Sequence, residues 1–426
     1  MRRRLALPAA ILTLIAALTS AAADARSASA ARSPASAARG ITGTLSTSMR
    51  AAGRSSGALV MDLNTGQTLF SDHPHVGRLP ASVQKLYTTS TALLKFGPGG
   101  RLTTSVLGVG SMQGDTFTGT LYLRGGGDPT FGSAGFDHAN YRTGASVQRL
   151  VGQLRAATGL HALQGAIVAD ESMLDSRRGT PATAYAPAVE VEGELSALSF
   201  DRGWADPYGS TFVPHPALES GQRFVAALRA AGVRVPAATP IRAGRTPVDA
   251  QILTALPSPP MATLLALTNA SSDNFFAETL LKDLGARFGA AGSTTAGASV
   301  VAGTVATAFG LHPRFDDGSG LSRYDRTTPY DVVSLLRQQA ADRPFTSSLA
   351  VAGETGTLAH EMRGSYAQGR CRAKTGTLTD ASNVVGYCHA RDGHTLAYAL
   401  LMNNIDPNYA HPLQNRIQIA LARYDG

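Results

Sequence analysis

Leu79-Pro80-Ala81-Ser82-Val83-Gln84-Lys85-Leu86-Tyr87 is the stretch on which the reading of this chain turns. Pro80 stands just before an apolar helical period through Leu86, Ala92, Leu93 and Leu94, and Gly97-Pro98-Gly99-Gly100 ends it. Ser82 is therefore expected at or near the first turn of a helix, with Lys85 three residues on and on the same face. A serine hydroxyl is a poor nucleophile until a neighbour takes its proton. A lysine can do so when burial and nearby positive charge lower its pKa. Many surface helices carry Ser-x-x-Lys with no chemical role, but lysine usage sharpens the pattern. The chain has four lysines, Lys85, Lys95, Lys282 and Lys374, against 34 arginines. Where charge alone is needed this sequence uses arginine, so Lys85 and Lys374 mark places where arginine would fail. A near-copy, Ala145-Ser146-Val147-Gln148-Arg149, ends in a residue that cannot deprotonate. It reads as coincidence.

Working outward, Gly57-Ala58-Leu59-Val60-Met61-Asp62-Leu63 reads as a strand, Asn64-Thr65-Gly66 as a turn, and residues 67–70 as the return strand. Residues 101–260 change texture. Short strand-like runs such as Thr120-Leu121-Tyr122-Leu123-Arg124 alternate with Gly- and Pro-rich turns and with helical stretches at 147–156 and 223–231. This predicts an inserted α/β module. From Met261 the pattern is mostly helical, with helices at 261–267 and 275–284 flanking a polar loop. Another helix is predicted at 329–341, with Thr328 as its N-cap and Pro329 in the first helical position. Strands are predicted at 374–378, 384–388 and 395–402, and a last helix from about Leu413 to Tyr424. The fold class is α/β (α+β): one central antiparallel sheet built from both chain ends, a helical subdomain, and the insertion. The catalytic body would comprise residues 41–100 and 261–426.

Two more elements could carry chemistry. Ser272-Asp273-Asn274 lies in the polar loop between two helices. Its Ser hydroxyl can pass a proton, and its Asn amide can both accept and donate; the alternative is a plain N-cap for the helix at Phe275. Lys374-Thr375-Gly376-Thr377 reads as a strand whose glycine admits close backbone approach and whose cation and hydroxyls can bind a carboxylate. The alternative is an ordinary strand with a surface lysine. Glu354-Thr355-Gly356-Thr357 shares the tail without the cation and reads as a decoy. Asp316-Asp317 before Gly318-Ser319-Gly320 reads as a turn rather than a metal site. Ten scattered histidines suggest no Ser-His-Asp triad, and no zinc-type His/Cys spacing occurs, so neither metal nor cofactor is expected.

The order Ser-x-x-Lys, Ser-x-Asn, Lys-Thr-Gly resembles that of the penicillin-binding and serine β-lactamase-like superfamily. More narrowly, the chain resembles the class C low-molecular-mass penicillin-binding proteins, D-Ala-D-Ala carboxypeptidases and endopeptidases. Further family-like segments are Gly125-Gly126-Gly127-Asp128-Pro129, Glu194-Leu195-Ser196-Ala197-Leu198, Ala277-Glu278 and Asp317-Gly318-Ser319-Gly320-Leu321-Ser322. The 190 residues from Ser82 to Ser272 fit that class, in which domains are inserted there, although this insertion is shorter than the family's two nested domains. The resemblance implies Ser82 as nucleophile, Lys85 as its base, Ser272 as proton relay and Asn274 as substrate-positioning amide. Lys374, Thr375 and Thr377 would hold the substrate carboxylate or support the proton relay, with Gly376 between the two threonines. Backbone N–H groups of Ser82 and Thr377 would form an oxyanion hole. Peptidoglycan stem peptides are then the substrates and β-lactams the inhibitors. The rivals are a β-lactamase or esterase on the same scaffold, and a non-catalytic wall-binding protein.

The chain start favours an extracytoplasmic setting. Arg2, Arg3 and Arg4 precede an apolar run from Leu5 to Leu18 and a small-residue cleavage site near Ala23, so residues 1–23 read as a signal peptide, the alternative being an uncleaved anchor. Residues 24–40, rich in Ala, Ser and Arg, read as a flexible linker. Cys371 and Cys388 are the only cysteines, and in an exported chain a pair suggests a disulfide, the alternative being two buried thiols. The formal charge is +8, without a dense basic run, and aromatics make up only 6% of residues. That suits peripheral association with an anionic wall or membrane and gives no case for nucleic acid.

Overall fold

The apolar runs near the two chain ends pair into one six-stranded sheet, in the order Ala350–Val351, Cys371–Leu378, Ala381–His389, Thr395–Asn403, Gly57–Asp62, Thr68–Asp72. Every neighbouring pair in it is antiparallel. The computed structural model describes residues 34–426; the signal-peptide reading of residues 1–23 and linker residues 24–33 lie outside the described residues. Strands Ala381–His389 and Thr395–Asn403 are buried almost end to end, as a sheet covered on both faces requires. On one face Leu59, Val385, Ala399 and Leu401 pack with Val83, Leu86, Phe275, Leu280 and Leu336 of the helical subdomain. On the other, Val60, Val384, Tyr398 and Leu400 pack with Ile41, Leu45 and Met49 and with Leu413, Ile417 and Leu421.

The expected helices and strands are present with shifted ends. Helix Pro329–Gln339 carries a full capping box between Thr328 and Asp331. The C-terminal helix starts earlier than expected, at Pro407, where Asp406 caps it. The linker reading needs correcting: a helix runs from Pro34 to Ala52, so residues 34–40 are helical. Ile41, Leu45 and Met49 recur every four residues and are buried, but the Ala, Ser, Gly and Thr between them dilute the period. Helix Thr294–Phe309 escaped the sequence reading for the same reason.

The insertion forms a five-stranded mixed sheet, ordered Ile241–Ala243, Ala162–Asp170, Thr116–Arg124, Thr103–Gln113, Gln251–Pro257. Helices Val147–Thr158 and Pro216–Ala230 cover it, with Leu150, Leu154, Phe224 and Leu228 packed on Leu121, Leu123 and Ile167 in a core of their own. Its two ends are tied together where Leu102 O accepts from Ser258 N at 2.8 Å and Gly100 O from Met261 N at 2.8 Å. Ser146 of the near-copy is the N-cap of the first of these helices, its hydroxyl accepting from Arg149 N. Among the described residues no helix is long and apolar enough to cross a membrane.

Candidate active site

Ser82 sits in a 3-10 turn, Ala81–Gln84, that runs directly into helix Lys85–Phe96. Ala81 holds φ at 47°, a conformation that costs an L-residue roughly 1–2 kcal/mol and persists only where surroundings impose it. Those surroundings are a side-chain clamp and a close backbone approach. Asn383 of the central strand donates to Leu79 O and Pro80 O at 3.0 and 2.8 Å. Gly320, at φ 87°, lies so near that a Cβ there would fall 1.8 Å from Ala81 O. The segment 317–322 is thereby laid against the serine turn.

Lys85 is fully buried, and its Nζ meets three acceptors: Ser82 Oγ at 2.9 Å, Asn274 Oδ1 at 2.5 Å and Ser319 O at 2.8 Å. Burial pushes its pKa down to about 8, against the opposing fields of Glu192, Asp317, Glu278 and Asp273. A neutral amine has two N–H groups and one lone pair. The Asn274 and Ser319 oxygens can only accept, so they take the two N–H groups and the lone pair faces the Ser82 hydroxyl. Ser319 O is itself held in place. Glu278 Oε1 accepts from Gly318 N and Ser319 N at 3.0 and 2.7 Å, and Asp317 accepts from Gly320 N and Ser322 N at 2.7 Å each. The Asp316-Asp317 turn is thus the support under the lysine.

The Ser272-Asp273-Asn274 loop delivers Asn274 to Lys85 and leaves Ser272 at φ 67°. Ser272 makes no hydrogen bond to another described residue. The N-cap of helix Asn274–Phe288 is Asp273, which accepts from Phe276 N at 2.9 Å and pairs with buried Arg202. The capping and chemical readings of this loop are therefore divided among adjacent residues.

Lys374 is also fully buried, and its Nζ donates to Thr375 O at 2.7 Å. Burial, and then the positive charge of Lys85, hold it well below the usual lysine range, with Glu192 opposing. Gly376 is needed where it stands, since a Cβ would lie 2.6 Å from Pro80 O and 3.1 Å from Ser82 N. Strand register settles which way Thr377 N–H points. Cys371 and Cys388 are disulfide-bonded register partners with Cα atoms 4.1 Å apart, the spacing of a non-hydrogen-bonded pair. Alternation along the ladder makes Thr375 and Thr377 non-hydrogen-bonded as well. Their N–H and C=O groups face the open edge, because the neighbouring strand Ala350–Val351 pairs only with Ala373 and Arg372.

Sequence reading missed several contributors. Ser319, Glu278 and Asp317 lay in segments singled out for other reasons. Thr357, dismissed with the decoy, has its hydroxyl 2.8 Å from that of Thr375. Glu190 and Glu192 belong to the inserted stretch and carried no signal at all; Glu190 O accepts from Asn274 Nδ2, and Glu192 Oε2 from Asn274 N, at 2.7 Å each.

The sheet flanked by helices on both faces, with this serine, lysine and open strand edge, defines a protein of the penicillin-binding, β-lactamase-like class. Residues 41–189 and 205–424 match the D-Ala-D-Ala carboxypeptidase 3 (S13) family, and the chain belongs to that family of hydrolases. It is 28% identical to the D-alanyl-D-alanine carboxypeptidase of Actinomadura sp. (strain R39), over 88% of this chain and 82% of that protein. It is 30% identical to the carboxypeptidase DacB of Mycolicibacterium smegmatis, over 82% of this chain and 76% of the relative. Among solved structures, penicillin-binding protein 4 of Haemophilus influenzae shares the fold with a TM-score of 0.67 at 18% identity, over 85% of this chain and 96% of that one. That protein has also been solved in complex with a β-lactam, and this chain matches the complex with a TM-score of 0.66.

Proposed function

We propose that this chain is an exported serine D-Ala-D-Ala carboxypeptidase that works through an acyl-enzyme on Ser82, with residues 41–100 and 261–426 as its catalytic body. The observation that carries the reading is a buried lysine amine 2.9 Å from the Ser82 hydroxyl, with its other two partners both acceptors. Lys85 takes the Ser82 proton as Oγ bonds to the carbonyl carbon of the penultimate D-Ala of a peptidoglycan stem peptide. The carbonyl oxygen gains the negative charge opposite the N–H groups of Ser82 and Thr377. When that charge collapses, the C–N bond breaks and the departing amine receives the proton through Ser272, leaving as D-Ala. Water then adds to the ester and frees the shortened peptide and the serine. Asn274 positions the substrate amide. Lys374 and the Thr375 and Thr377 hydroxyls bind the terminal carboxylate beside the open strand edge, which pairs with the peptide backbone.

A cross-linked peptide presents the same D-Ala carbonyl with a different leaving amine, so endopeptidase cleavage would follow the same acylation and hydrolysis at Ser82. β-Lactams would acylate Ser82 and be released slowly. The extracytoplasmic setting rests on the basic and apolar residues 2–18 and on the disulfide. The test is release of D-Ala from a diacetylated Lys-D-Ala-D-Ala tripeptide. The wild type should release one D-Ala per peptide and Ser82→Ala none above background; equal release by both would overturn the reading.

A further inference from the structure

The inserted module does not stay apart from the site. Its segment 189–204 folds back over the Ser272-Asp273-Asn274 loop. Glu192 lies there at φ 65°, half-buried, with its carbonyl oxygen accepting from Trp204 Nε1 at 3.0 Å and Arg202 Nη1 at 3.3 Å. Glu194 N donates to Arg202 O at 2.8 Å and closes the loop. Gly193 seats this loop on the helix after Asn274, since a Cβ there would fall 2.4 Å from the Phe275 ring. Arg202 also pairs with Asp273. Out of this framework the Glu192 carboxylate reaches Asn274 N at 2.7 Å, while Glu190 O takes Asn274 Nδ2 at 2.7 Å. Asn274 is thus gripped at backbone and side chain, which leaves Oδ1 turned to Lys85 Nζ.

We propose that Glu192 is a positioning residue for the Ser82–Lys85 pair, holding Asn274 against the lysine and placing a negative charge beside it. The inference rests on the acyl-enzyme reading above and extends it to a residue of the insertion. The titratable groups facing this region are Lys85, Lys374, Arg202, Asp273, Glu278 and Asp317, with exposed Glu190 at the rim. Among them Glu192 exerts the strongest field on Lys85 after burial itself, and it opposes the effect of burial. Its negative charge favours the ammonium form. Removing that charge makes the amine easier to deprotonate, so the pH at which Lys85 becomes a free base falls.

The test is the pH dependence of Ser82 acylation by a chromogenic cephalosporin, normalised to the fraction of protein that titrates, for wild type, Glu192→Gln, Glu192→Asp and Glu192→Ala. Gln keeps an acceptor for Asn274 N and loses the charge, so its inflection should move acid by at least about half a pH unit. Asp keeps the charge, and its inflection should stay near that of the wild type. Ala loses both functions and should show the acid shift together with about a tenfold fall in the limiting rate. The position of an inflection does not depend on how much protein is folded, so simple destabilisation cannot imitate the shift. Superimposable profiles for wild type and Glu192→Gln, or a wild-type rate and inflection in Glu192→Ala, would overturn the inference. A wild type that never acylates would instead refute the acyl-enzyme reading itself.

Discussion

At the scale of single residues, the proposed acyl-enzyme chemistry depends on keeping one amine uncharged often enough to act as a base. Lys85 has its pKa pushed down to about 8 because its burial outweighs the four carboxylates around it. The free amine forms as pH rises through that value, so acylation should rise across about pH 7–9 and level off above. Lys85→Arg keeps a cation but cannot supply a lone pair, and it should lower the acylation rate about 10²–10⁴-fold at every pH. A rate that falls with rising pH, or an active Lys85→Arg enzyme, would contradict this. The side chains that meet at Lys85 were largely legible in advance as candidates. Ser82, Lys85, Asn274 and Lys374 could be named from motif order and from the scarcity of lysine. Glu192 could not, because a lone Glu in a Gly-rich insertion looks like any surface carboxylate until the chain folds back over Asn274.

Elements bring these residues together through close backbone contacts. The strand Cys371–Leu378 can lie beside the serine turn only because Gly376 has no side chain. Gly376→Ala would push its Cβ to 2.6 Å from Pro80 O and move Thr377 N–H away from Ser82. The expected result is an acylation rate lower by about 10²-fold, since a displacement near 1 Å suffices for that. The stability loss should be only about 1–3 kcal/mol. Stopped-flow acylation and denaturant titration would read both, and an unchanged rate would show that the strand need not approach so closely. Strands and capped helices were readable because alternation, Thr328 and Pro329 leave direct marks. Helices Pro34–Ala52 and Thr294–Phe309 were not, because small residues fill both and their apolar stripes are held by packing rather than by local pattern.

For the whole molecule, both chain ends contribute to one sheet, and the insertion between them is more than an appendage. Its own core is separate, yet its segment 189–204 clamps the loop that carries Asn274. The sequence could place the insertion by its change of texture, but not its return to the site, which depends on tertiary contacts between residues some eighty positions apart. An acyl-enzyme requires a covalent bond at Ser82, and intact-protein mass after incubation with benzylpenicillin reads that bond. The expected result is a single added penicilloyl group on the wild type, mapping to the peptide that contains Ser82, and none on Ser82→Ala. An adduct on another residue, or an unmodified wild type that leaves the antibiotic intact, would contradict it.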